Sequence, residues 1–155
     1  ANLLVDTVLP QVIVNTFAGD NLVNNAEAAV DQTLSGRVTG AAAGDKVTVT
    51  IGGQSYTTVL DAAGNWSVGV PASVISGLSD GSVTVTASVT DAAGNTGSGT
   101  HNVTVDTGLP SVSFNAISDD NVLNAVEKGQ DLSVSGTSAN LAEGTVVTVT
   151  LNGKN

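Results

Sequence analysis

The chain contains no cysteine, so no disulfide staples it, and neither a thiolate metal site nor a cysteine nucleophile is possible. Basic residues are almost as scarce. Four Lys plus Arg stand against fourteen Asp plus Glu, and the formal charge of −10 would repel a phosphate backbone, which excludes nucleic acid as a partner. Aromatic residues make up only 3% of the 155 positions, so the apolar material is Val, Ala, Leu and Ile, set among Thr and Ser. That is the vocabulary of a thin β-sandwich. No apolar run approaches the ~20 residues that a membrane-crossing helix needs. The N-terminus also lacks a basic stretch followed by an apolar one, so any secretion signal or anchor is expected outside this sequence. The carboxylate surplus points to a divalent cation. Two carboxylates brought together repel until a cation sits between them, and calcium, which takes oxygen ligands, is the natural candidate.

The sequence repeats itself. Residue n set beside residue n+100 aligns the start of the chain with its end without a gap: VDTVLPQVIVNTFAGDNLVNNAEAAVDQTLSG from Val5 lies over VDTGLPSVSFNAISDDNVLNAVEKGQDLSVSG from Val105. The identities include Asp6/Asp106, Asn15/Asn115, Asp20/Asp120, Asn24/Asn124, Glu27/Glu127 and Asp31/Asp131, all polar oxygen carriers. A period of this length describes a string of domains, since solenoid units run to about 20–50 residues.

The first copy is complete. Period-two alternation between turn residues predicts seven strands, at 11–15, 33–39, 46–52, 54–60, 65–70, 82–90 and 98–105. Gly52-Gly53 closes one hairpin, and the turn DAAGN occurs at both 61–65 and 91–95. Seven short strands in about a hundred residues predict an all-β, immunoglobulin-like sandwich repeated in tandem. Residues 1–105 read as one complete domain, and 106–155 as a linker plus the N-terminal half of a second. That half lacks the counterparts of the later strands and cannot close a core of its own, so it reads either as a copy cut at a boundary, such as a proteolytic one, or as a half completed by strand exchange with another molecule.

Four motifs carry a family resemblance: the linker DTxLP (Asp6–Pro10, Asp106–Pro110), the segment DNxxNxxE (Asp20–Glu27, Asp120–Glu127), GNWSV at Gly64–Val68, and TDAAGNTG from Thr90. At hundred-residue spacing they resemble the tandem bacterial Ig-like repeats of giant type I-secreted RTX and biofilm adhesins. The resemblance implies a structural extender, or stalk, that supports cell adhesion or biofilm formation at the bacterial cell surface. It also implies an extracellular place, neighbouring repeats of the same chain as partners, and calcium that stiffens the joints.

Topology suggests where calcium would bind. The first strand of an Ig sandwich runs from the N-terminal to the C-terminal pole, so Asp20, Asn24 and Glu27 are expected near Asp106; Asp120, Asn124 and Glu127 are their counterparts in the second copy. The competing reading has Asp20 and Asn21 forming an Asx turn that caps a short helical turn, with Glu27 solvated. At the other pole, Asp61, Asp91 and Asn95 are expected beside the incoming Asp6, where they would share an ion. The alternative there is a pair of tight turns with Gly64 and Gly94 at positive φ and each Asp bonding its own backbone. No EF-hand spacing is present.

The remaining candidates read as structural. Trp66 is expected in the core rather than as a sugar platform, and His101 on a strand surface. Glycines 94, 97 and 99 do not open a helix after a strand, so a phosphate loop is rejected. The glycosylation patterns at Asn65 and Asn102 are assigned no role. No nucleophile, base and orienting group can be assembled, so no enzyme is expected. The chain is expected to be a monomer that does not insert into membrane. Two other readings are a ligand-binding Ig-like module for glycan, ice or a host receptor, and an accessory domain of a secreted polysaccharide hydrolase. A repeat with plain polar loops and few aromatics favours spacer over binder.

Overall fold

A computed structural model of the chain describes residues 2–153. Its contacts divide into two compact units, Ala1–Thr107 and Gly108–Asn155.

Unit 1 is built from strands β1 (Gln11–Val14), β2 (Leu22–Asn24), β3 (Gln32–Thr39), β4 (Lys46–Ile51), β5 (Gln54–Val59), β6 (Asn65–Val70), β7 (Gly81–Thr90) and β8 (Thr96–Asp106). Two one-turn helices join them, α1 (Asn25–Ala28) and α2 (Ala72–Ile75). The seven expected strands are all present, with ends within two residues of the expected ones. An eighth, β2, was not foreseen. It is three residues long and pairs in parallel with β8, Leu22 opposite Thr104 and Asn24 opposite Asp106. A strand that puts only Val23 into the core leaves no alternation to read.

The strands form two sheets, ordered β1-β3-β6 and β2-β8-β7-β4-β5. This is an Ig-like sandwich in which the leading segment contributes a strand to each sheet. Inward positions alternate along the strands and meet in one core: Val14, Leu34, Val38, Trp66 and Val70 from the smaller sheet, and Val23, Val47, Val49, Ile51, Val85, Ala87, Val89, Val103 and Val105 from the larger. Phe17, Leu60 and Ile75 close the ends from the connections. The other face of the larger sheet carries the Thr and Ser residues, in cross-strand rows such as Ser55–Thr50–Thr86–Thr100 and Thr57–Thr48–Ser88–Ser98. The pleat alone produces this division, because successive side chains point to opposite faces.

Unit 2 contains strands β9 (Ser111–Phe114) and β10 (Gly136–Ala139), paired antiparallel, with a 3-10 turn at Glu127–Gly129. These strands correspond to β1 and to the second half of β3, displaced by 100 residues. Phe114, Val134, Val147 and Val149 are exposed, whereas their counterparts Val14, Leu34, Val47 and Val49 are buried. In unit 1 these residues face each other between two complete sheets, with β6 beside β3 and β7 and β8 beyond β4, whereas the described residues of unit 2 form only the β9–β10 pair.

Candidate metal and linker sites

The register of unit 1 gathers the acidic and amide residues at two poles. β3 begins and β6 ends at one pole (Gln32 opposite Val70), and β7 begins there as β8 ends (Gly81 opposite Val105). Asn24, Glu27, Asp31, Asp80 and Asp106 flank these strand ends, so we call this the outgoing pole; Asp20 lies before β2, which starts opposite Thr104, and so sits further back along β8. At the opposite, incoming pole lie the turns at 40–45, 61–65 and 91–95 and the leading residues 6–10.

At the outgoing pole the DNxxNxxE segment is a local hydrogen-bonded unit. Asp20 Oδ1 accepts the Leu22 N–H at 2.9 Å, forming an Asx turn. Asn24 then caps α1: its Oδ1 accepts the N–H groups of Ala26 and Glu27 at 2.9 and 3.0 Å, while Glu27 Oε2 accepts the Asn24 N–H at 3.1 Å. This reciprocal pair is a capping box. The Asx-turn reading needs two changes: Asn24 rather than Asp20 or Asn21 is the cap, and Glu27 is half-buried and bonded rather than solvated. Asn24 stands in register opposite Asp106 on β8.

Asn21 does something else. At φ 66° it turns the chain into β2, its Oδ1 accepts the Phe17 N–H at 2.9 Å, and the same oxygen lies 2.7 Å from His101 Nε2. Because that oxygen accepts, Nε2 donates. His101 is therefore half-buried and pins the turn before β2 onto β8, which corrects its placement as a plain surface residue.

Two further carboxylates at this pole stand outside the expected ligand sets, although Asp31 is one of the repeated identities. Asp31 Oδ1 accepts the Ala72 N–H at 2.8 Å and so holds the start of α2, where Pro71 supplies no side-chain cap. Asp80 Oδ1 accepts both the N–H and the hydroxyl of Thr107, at 3.0 and 2.9 Å. These bonds hold the Asp80 carboxyl below its ordinary value, the backbone bond first and the hydroxyl second. Neither residue belongs to one of the four motifs, and each finds its partner 27 or more residues away along the chain.

At the incoming pole the two DAAGN turns are built alike. Asp61 Oδ1 accepts from Ala63 and Asn65, and Asp91 Oδ1 from Ala93 and Asn95, all at 2.8–2.9 Å. Gly64 and Gly94 sit at φ 79° and 89°, as the tight-turn alternative requires. Both carboxyls are held below their ordinary value, Asp61 chiefly by the Asn65 backbone N–H and Asp91 chiefly by the Asn95 side-chain amide. The turns part company in their surroundings. Asp91, largely buried, lines one depression with Asp6 and Asp45, whereas Asp61 lines another beside Asn65 and Trp66. Asn95 Nδ2 spends one proton on Asp91 Oδ2 at 2.9 Å and the other on the Asp6 carbonyl at 3.2 Å.

The donors at both poles are hard oxygens of the kind calcium takes. Among the described residues, however, no three acidic or imidazole groups stand close enough to hold an ion, and several of these oxygens accept backbone N–H groups. In unit 2 the same segment makes the same local bonds, Asp120 accepting from Val122, Asn124 Oδ1 from Val126 and Glu127, and Glu127 from the Asn124 N–H, but the turn that follows is 3-10 and has Val126 rather than Asn124 as its N-cap. Trp66 is buried against Gly36, and its Nε1 is without a hydrogen-bond partner among the described residues.

A sequence profile of the bacterial Ig-like domain matches residues 12–107. The chain belongs to the bacterial Ig-like domain family. A search of curated proteins returns no match. Among solved structures, the bacterial Ig-like domain is similar to a domain of the M. primoryensis ice-binding adhesin, at 40% identity over 63% of this chain and 98% of that one, with a TM-score of 0.50. It is also similar to part of a Ca2+-stabilized adhesin with which an Antarctic bacterium binds ice (40% identity, 85% and 33% of the two chains, TM-score 0.51). A third relative is a 1.5-MDa bacterial ice-binding adhesin studied for its retention on the host cell surface (41% identity, 84% and 43%, TM-score 0.52). This chain thus spans about a third of one of these structures and less than half of another. It is a homologue of Ig-like domains of large adhesins.

Proposed function

We propose that this bacterial Ig-like chain is an extender of a surface adhesin: a stalk of tandem sandwiches, outside the cell, stiffened by calcium at the joints and supporting adhesion or biofilm formation. The observation that carries the reading is the placing of acidic and amide residues at both poles of unit 1, where linkers of the form DTxLP enter and leave. At the incoming pole Asp6, Asp91 and Asn95 would serve as ligands, with Asp61 in a separate depression of the same pole; at the outgoing pole Asp20, Asn24, Glu27 and Asp106 would, and Asp120, Asn124 and Glu127 are their counterparts in unit 2. Each pole would supply part of a ligand set that a following or preceding repeat completes. Bound calcium would neutralise facing carboxylates in a protein of charge −10 and hold the joint at one angle. The Ca2+-stabilized relative supports this assignment. No chemistry is performed on a substrate in this reading, and the partners are neighbouring repeats.

Thermal melts and small-angle scattering in EDTA and in millimolar calcium test it. Calcium is expected to raise the midpoint and extend the scattering profile, and no change in either would sink the calcium assignment. Glu27→Gln sharpens the test. Glutamine still accepts the capping-box bond, so the EDTA midpoint should hold while calcium affinity falls. Unchanged affinity removes Glu27 from the ligand set.

A further inference from the structure

The linker peptide is held by the protein itself, and differently at its two occurrences. At the incoming end of unit 1, the carbonyl of Asp6 accepts from Asn95 Nδ2 at 3.2 Å, and Asn95 is oriented by Asp91, whose Oδ2 accepts its other amide proton at 2.9 Å. At the outgoing end, the N–H of Thr107 donates to Asp80 Oδ1 at 3.0 Å, with the Thr107 hydroxyl on the same oxygen at 2.9 Å. Asp6-Thr7 and Asp106-Thr107 are the same position of the repeat. The carbonyl of Asp and the N–H of the following Thr belong to one planar peptide group, and in a trans peptide they point to opposite sides.

We infer that the Asp-Thr peptide of each linker is a two-sided latch: the preceding repeat grips its N–H through the counterpart of Asp80, and the following repeat grips its carbonyl through the counterpart of Asn95. A repeat complete to its Asn95 position then places both grips on one rigid plane, which has no soft dihedral between them. Thr is suited to the second position because its hydroxyl doubles the bond to Asp80. Asn suits position 95 because its amide has two protons, one for Asp91 and one for the linker. The inference rests on the tandem-stalk reading but not on calcium. The latch uses only protein groups and persists in EDTA, where the calcium-dependent part of the stiffness is gone.

Backbone ¹⁵N relaxation on the 155-residue chain in EDTA tests it, because the N–H of Thr7 reports on the Asp6-Thr7 plane and that of Thr107 on the Asp106-Thr107 plane. Both are expected to show rigid order parameters near ~0.85 rather than the values under ~0.6 of a flexible linker. Asp80→Ala should loosen Thr107 alone and speed its amide exchange about tenfold or more, with Val85 and Val103 in the core unchanged. Asn95→Ala should loosen Thr7 alone. Asp80→Asn, which keeps an accepting oxygen, should retain most of the order, and Thr107→Val should lose part of it, so the result does not depend on one variant folding. Flexible Thr7 and Thr107 in the unmutated chain, or order parameters that ignore these substitutions, overturn the latch. A latch that survives while calcium leaves the melt unchanged overturns the calcium assignment instead.

Discussion

A Cβ at Gly36 would collide with the Ile13 carbonyl and the ring of Trp66, so the only tryptophan lies in the core because its cross-strand neighbour has no side chain. Gly97 and Gly99 act in the same way on β8, where added Cβ atoms would strike the carbonyls of Pro10 and Val12. These two glycines, which attract notice as a fragment of a phosphate motif, are where the first strand passes close over the last. Gly36→Ala is expected to cost about 1–3 kcal/mol through overpacking, and a thermal melt should show a drop of about 4–8 °C for each kcal/mol. At the same scale, Trp66 was legible as core from the alternation around it. His101 was not, because its partner Asn21 is 80 residues away in sequence.

Among the elements, the DNxxNxxE segment is the most autonomous. Its Asx turn and capping bonds form in unit 1, where Phe17, Val23 and Ala28 are buried, and again in unit 2, where the counterpart residues Ile117, Leu123 and Lys128 are not buried. The motif therefore encodes its own shape through bonds no longer than four residues, and the spacing of Asn and Glu is the spacing of a capping box. Its recurrence after 100 residues does not by itself require an ion. Asn24→Ala should destabilise unit 1 by about 1 kcal/mol through loss of the cap, measurable as a lower urea midpoint with an unchanged m-value. The short β2 that leads into it was invisible for the opposite reason: it exists only because β8 offers an edge for parallel pairing.

For the whole molecule, acid is the informative perturbation. Asp61, Asp80 and Asp91 all titrate below their ordinary value of 3.8 in the folded state because each accepts hydrogen bonds as a carboxylate. The unfolded chain then binds protons more readily than the folded one as pH falls, so these groups stabilise the fold above about pH 4–5, and the contribution drains away as pH drops through their folded values. Urea melts from pH 7 to pH 3 should be flat at first and fall steeply below about pH 4. Asp91→Asn, which loses one titrating group, should flatten that fall, and a parallel curve would show that Asp91 does not contribute to it.

The sequence by itself determined the sandwich class, the hundred-residue period, seven of the eight strands of unit 1 and the turn chemistry at 61–65 and 91–95, because period-two alternation and local turn bonds act over a few residues. It also named Asp6, Asp91 and Asn95, which the fold brings together at the incoming pole, and Asn24 and Asp106, which it sets opposite one another. Tertiary structure alone decided that Asp61 belongs to a different depression from Asp91, that Asp45 joins Asp6 and Asp91, and that Asp31 and Asp80 hold α2 and the outgoing linker. The physical reason is distance along the chain. A carboxylate that bonds its own turn leaves a pattern in neighbouring residues, whereas one that waits for a backbone N–H 27 or 41 residues away acquires its role only when the two sheets have closed.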